Sequence, residues 1–172
     1  MRIRWIVAAA VTALAMLPVA TAGAQEDTDT SFDLTGGALS ISAPLSATLG
    51  SQPVTASTLA GQLGTVTVTD DRAALVADWT ATVSSTDFTT GTATASETIS
   101  NTNVAYNSGT ATSSGDGTFT PGVLAAMAAP GTGGAWVGTL SNSSSWDPTV
   151  TVTIPAGRVA GTYSGTITHS VA

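Results

Sequence analysis

The chain has no cysteine and no lysine, and only 9% of its 172 residues are charged. Without cysteine there is no disulfide framework, no thiolate metal site and no thiol nucleophile. Its four cations are Arg2, Arg4, Arg72 and Arg158, set against eleven carboxylates. That balance excludes a basic nucleic-acid footprint, because phosphate contacts need clustered Lys and Arg. Histidine occurs once, at His169, and aromatics make up 5% of the chain. A zinc site is thereby left with one imidazole and carboxylates only. By length the chain is a single domain with a leader.

The leader is legible at the N-terminus. Arg2 and Arg4 form a positive n-region, and residues 6–20 form an apolar stretch of about 15 residues. Ala22-Gly23-Ala24 supplies the small-x-small cleavage pattern, which makes residues 1–24 a secretory signal peptide. An uncleaved anchor would need about 20 apolar residues. The secreted chain, 25–172, keeps two arginines and all eleven acids, for a net charge of −9. It is expected outside the cytoplasm with no membrane anchor after cleavage. Residues 25–31 read as a flexible acidic tail ahead of a domain spanning 32–172.

Serine and threonine make up about a third of the secreted chain. Apolar residues are sparse, but they recur with period two, the signature of half-buried strands. In 64–70, Val66 and Val68 share one face against threonines on the other. In 78–84 the inward set is Trp79, Ala81 and Val83. In 148–155 it is Val150, Val152 and Ile154. In 162–172 it is Tyr163, Gly165, Ile167, His169 and Val171. Weaker strands are predicted at 38–43, 96–100, 103–106 and 135–140. Stretches 108–117 and 130–134 read as loops, and 155–161 reads as a hairpin loop joining the last two strands. Residues 122–129 are helix-like but long enough only for a connector. The pattern predicts an all-β, antiparallel β-sandwich with a thin core.

Several residues carry candidate chemistry. Asp70, Asp71 and Asp78 flank a turn and suit either a calcium site or a polar turn in which carboxylates cap backbone N–H groups. His169 suits either a catalytic base or an imidazole satisfied within the fold, and no nucleophile-elbow motif accompanies it. Glu97, Asp87, Asp116 and Asp147 show no paired-carboxylate pattern. Asn142-Ser143-Ser144 matches a glycosylation sequon. Trp79, on an alternating strand, and Trp136 and Trp146, beside Gly- and Ser-rich stretches, are either core or ligand-stacking rings. No metal and no cofactor is predicted.

Two blocks resemble the WxL domain of Gram-positive surface proteins. The first is V-T-D-D-R at 68–72 followed by W-T-A-T-V-S-S-T-D-F-T at 79–89. The second is S-W-D-P-T-V-T-V-T-I-P-A-G-R-V-A-G-T-Y-S-G-T-I-T at 145–168. The positions equivalent to the family's two W-x-L triplets are Trp79-Thr80-Ala81 and His169-Ser170-Val171. The first keeps its tryptophan and the second keeps neither named residue. The resemblance implies a secreted β-sandwich that binds peptidoglycan or another envelope component non-covalently, within assemblies of other surface proteins. The alternatives are a structural subunit, pilin-like or of a surface layer, and a secreted hydrolase.

Overall fold

The computed structural model describes Gly23 and residues 26–172. The predicted signal peptide, Gly23 apart, lies outside the described residues. Residues 26–33 are exposed and form no strand or helix. They belong to a first compact unit, and Leu34–Ala172 forms a second.

The second unit is all-β. Its strands are β1 (Leu39–Ser42), β2 (Thr58–Gln62), β3 (Val66–Asp70), β4 (Trp79–Ser85), β5 (Phe88–Thr89) and β6 (Thr98–Ile99). They continue as β7 (Val104–Asn107), β8 (Ala111–Pro121), β9 (Val123–Leu124), β10 (Gly131–Trp146), β11 (Thr149–Thr153) and β12 (Ile167–Val171). Every pairing is antiparallel.

The spine of the larger sheet is β10. Trp136 lies opposite both Phe119 of β8 and Trp79 of β4, and Ser143 lies opposite both Ser114 of β8 and Thr69 of β3. One edge of β10 is therefore taken by β8, and the other by β4 and then β3. Outside these, β1 pairs with β3 and β12 pairs with β4. The smaller sheet runs β2-β11-β7-β9, and β5 and β6 form a separate two-stranded ribbon. Midway along β10 the register breaks. Residues 140–142 stand opposite the single Gly115 of β8, with Leu140 at φ 59° and Gly115 at φ 107°. This bulge makes room for the segment between β3 and β4, which hydrogen-bonds to it through Ala77 N–H to Gly138 O and Leu140 N–H to Ala74 O.

The alternating residues do what their period requires. Val66, Val68, Trp79, Ala81, Val83, Val150 and Val152 are all buried, while the intervening threonines face outward. They form two clusters. One lies between the sheets and joins Val83 of β4 to Val104, Tyr106, Val150 and Val152 of the smaller sheet, with Ile99 and Met127. The other comes from the larger sheet alone: Val66, Val68, Trp79, Ala81, Trp136 and Trp146, with Phe119 and Ile41 against them. The larger sheet curls around its own aromatic residues.

Four local expectations are corrected. The 108–117 stretch is not a loop, because Ala111–Pro121 is the edge strand β8. It lacks period two because nearly all its side chains are exposed on both faces. The 130–134 stretch opens β10. Its glycines mark crowding, since a Cβ on Gly134 would stand 2.7 Å from the Phe119 ring. Residues 155–161 do not close a hairpin: β11 belongs to the smaller sheet and β12 to the larger, so 154–166 crosses between sheets. The 122–129 run forms no helix. Met127 is buried there and donates its N–H to Val104 O.

The indole of Trp136 lies over the cross-strand pair Gly117 and Gly138. A Cβ would fall 2.6 Å from its ring carbons at Gly117 and 2.5 Å from its Nε1 at Gly138. Gly117→Ala is expected to destabilise the fold by about 1–3 kcal/mol through overpacking. Trp79→Ala, which empties the aromatic cluster, is expected to cost about 3–5 kcal/mol. Urea unfolding followed by tryptophan fluorescence measures both.

Candidate functional site

The three tryptophans were candidates for stacking on a ligand. Each is only 2% exposed, so none offers a ring to solvent and that reading is corrected for Trp79, Trp136 and Trp146. The reason is parity: Trp136 and Trp146 sit at inward positions of β10, not in the flanking loops. Trp79 stacks on Trp146 at 6.4 Å between centroids, and Phe119 leans on both. Trp79 Nε1–H donates to Asn142 Oδ1 at 2.8 Å. Asn142 is 4% exposed, which also removes the sequon from the surface. Trp136 Nε1–H is buried without an acceptor.

The two W-x-L-equivalent triplets come together on neighbouring strands. Ala81 lies opposite Val171, with Thr82 opposite Ser170 and Val83 opposite His169. Ala81 faces the core, Thr80 and Ser170 face outward, and His169 and Val171 are half-buried inward.

His169 is fixed by a buried aromatic pair. Trp146 Nε1–H donates to Tyr106 Oη at 2.9 Å, and Tyr106 Oη lies 3.3 Å from His169 Nε2. The phenol oxygen accepts from the indole and lies within hydrogen-bond distance of the imidazole, a bond that either partner can donate. Burial pushes the Tyr106 hydroxyl up to about 12 and the His169 imidazole below its ordinary value. No carboxylate among the described residues hydrogen-bonds the ring. Among the described residues His169 is engaged by Tyr106 and not by the orienting carboxylate of a catalytic triad.

Five of the candidate carboxylates, Asp70, Asp78, Asp87, Glu97 and Asp147, are likewise occupied. Asp70 is fully buried, and its two oxygens take the Arg72 fork, Nε at 2.9 Å and NH2 at 2.7 Å. Arg72 holds the Asp70 carboxyl below its ordinary range. The Asp78 side chain accepts Gly138 N–H at 2.9 Å, and its carbonyl accepts from Arg72 NH2. Between Asp70, Asp71 and Asp78 the polar-turn reading therefore prevails over calcium, and no metal-type cluster of three such side chains occurs among the described residues. Glu97 accepts from Thr92, from Thr94 Oγ1 and from Thr94 N–H, bonds that hold its carboxyl below the ordinary value. Asp87 takes Asn101 N–H and Asp147 takes Gly64 N–H. These acids fasten turns.

What remains open is a cleft of about 490 Å³ that the sequence did not announce. Its walls are two irregular segments, 47–54 and 158–165. Its floor is Phe88, Ile99, Val152 and Ile154. Val54 and Val159 stand at it 56% and 41% exposed. Tyr163 Oη bonds Val159 O at 2.9 Å and braces one wall. Arg158 lines the cleft, bonds Ala95 O through NH1 and keeps a buried Nε–H without an acceptor. Neither wall follows a periodic pattern, so the visible signal was only apolar residues (Leu49, Val54, Val159) among Pro, Gly and Ser.

No protein-family model, curated protein or solved structure matches this chain.

The Asp70–Arg72 pair sets an acid limb. A carboxylate whose folded pKa is depressed stabilises the fold above its unfolded value, near 3.8 for aspartate, and that stability is lost as pH falls through the folded value. Asp70→Asn is expected to flatten this limb in a melting-temperature series from pH 6 to pH 2. At neutral pH it is expected to cost about 1–3 kcal/mol, because Arg72 is exposed enough to regain water.

Proposed function

We propose that the chain is a secreted, non-enzymatic surface protein of bacteria that binds a cell-wall component non-covalently, peptidoglycan foremost. The observation that carries this reading is the cleft. It is a concave, partly apolar site with a cation, in a domain where Asp70, Asp78, Asp87, Glu97 and Asp147 serve as internal fasteners. The signal-like N-terminus and the two WxL-like blocks support the location. The net charge of −9 disfavours polyanionic wall polymers, which the chain would repel unless cations bridged them. Adhesion through tryptophan rings is not part of the reading, because those rings are buried.

A second reading, a structural subunit, is favoured by β8. This 11-residue edge strand pairs only with β10 and leaves its other edge open. Such an edge is a template for strand addition. Size-exclusion chromatography with light scattering separates the two: a monomer across a wide concentration range fits the wall-binding module, and a mass that grows with concentration fits the subunit.

Co-sedimentation of the secreted chain with purified Gram-positive sacculi, across a salt series, tests the main reading. Retention in the pellet at high salt is expected. Protein left in the supernatant at every salt concentration overturns it.

A further inference from the structure

We propose that the cleft is a carboxylate-recognition site, in which Arg158 receives the free C-terminus of a short peptide with small apolar last residues. The proposal rests on the wall-binding reading for its source, since peptidoglycan carries short peptides that end in a free carboxylate. Its chemistry stands on the cleft alone.

Charge comes first. Among the described residues there are two arginines, and Arg72 is ion-paired with Asp70. Arg158 forms no ion pair there, and the cleft lining contains no Asp or Glu. In a secreted chain, 25–172, of net −9 this is a local positive site. A guanidinium presents five donors in a fixed fork that matches a carboxylate. Among the described residues Ala95 O is the one acceptor engaged, through NH1, and NH2 is left for a ligand. Nearby, the unsatisfied Nε–H shows that the fold has not supplied its own acceptor.

Shape and polarity fix the rest of the ligand. A volume of about 490 Å³ falls in the range of small-ligand clefts, ~300–1,000 Å³, and takes two or three small residues. Leu49, Phe88 and Ile154 offer an apolar floor and wall for methyl-sized side chains. Ser51, Gln52 and Thr162 add polar groups to the same walls. A bare alkyl chain would bury those groups without partners, whereas a peptide backbone can pair with them.

The test is a titration of the ¹⁵N-labelled secreted chain with N-acetyl-Ala-Ala-Ala, with its C-terminal amide, and with decanoate, read by amide shifts. The free acid is expected to shift amides of 47–54 and 158–165 and to bind about tenfold or more tighter than the amide, as for loss of a charge-assisted hydrogen bond. Arg158→Gln is expected to lose the same tenfold. Val159→Glu, at an exposed position that puts a carboxylate beside the cleft, is expected to weaken the acid while leaving the amide unchanged. It gives the answer if Arg158→Gln fails to fold. Equal binding of acid and amide, shifts confined to other surfaces, or preference for decanoate overturns the proposal. The two readings fail separately. Sacculi pelleting that Val159→Glu leaves intact removes the carboxylate site and keeps wall binding. Tight acid binding without pelleting removes the wall and keeps the site.

Discussion

The hydrogen bond from Trp146 Nε1 to Tyr106 Oη is the joint on which this domain turns. Trp146 belongs to the cluster made by the larger sheet alone, and Tyr106 belongs to the cluster between the sheets. Neither cluster is large, so a bond that ties one to the other counts for more than its own strength. A buried indole N–H and a buried phenol each need a partner, and here each supplies the other's need. His169 completes the chain by hydrogen-bonding the phenol, which draws β12 into the same arrangement. The single histidine thus closes a buried polar network.

A sequence poor in apolar residues obtains its core by concentrating area in a few aromatics and clearing space for them. Gly117 and Gly138 leave the strip that Trp136 covers, and Gly134 leaves room for Phe119. Large side chains over strand glycines recover packing that the glycines forgo. The few charges are used in the same sparing way. Asp70, Asp87, Glu97 and Asp147 each hold backbone or side-chain donors at a turn, where a carboxylate accepts several N–H groups without help from a core. Two exceptions stand out against this internal economy. Trp136 Nε1 is sealed under a wall of backbone, and Arg158 lines an open cleft. Only the second belongs to a residue that lines the cleft.

The cleft owes its existence to topology. Because β11 and β12 lie in different sheets, the connection between them must cross, and its residues 158–165 become one wall. The segment 47–54, between β1 of the larger sheet and β2 of the smaller, becomes the other wall. Both are connections between layers, and connections of this kind carry binding surfaces because a rigid scaffold positions them while their own sequence is free to vary.

The sequence by itself determined the class of fold and the parity of its main strands. Val66, Val68, Trp79, Ala81, Val83, Val150 and Val152 face inward because side chains on a strand alternate and apolar area must leave water. Tertiary structure alone decided which strands are neighbours, and hence the site. The pairing of β10 with β8 joins a glycine-rich stretch to a polar one, and neither had a period to read, because one makes room for rings and the other is exposed on both faces. The burial of Trp136 and Trp146 and the placing of Arg158 beside an apolar floor depend on contacts distant in the chain or on which sheet a strand joins. Local periodicity carries no information about such contacts: it fixes which way a side chain points and leaves open what it meets.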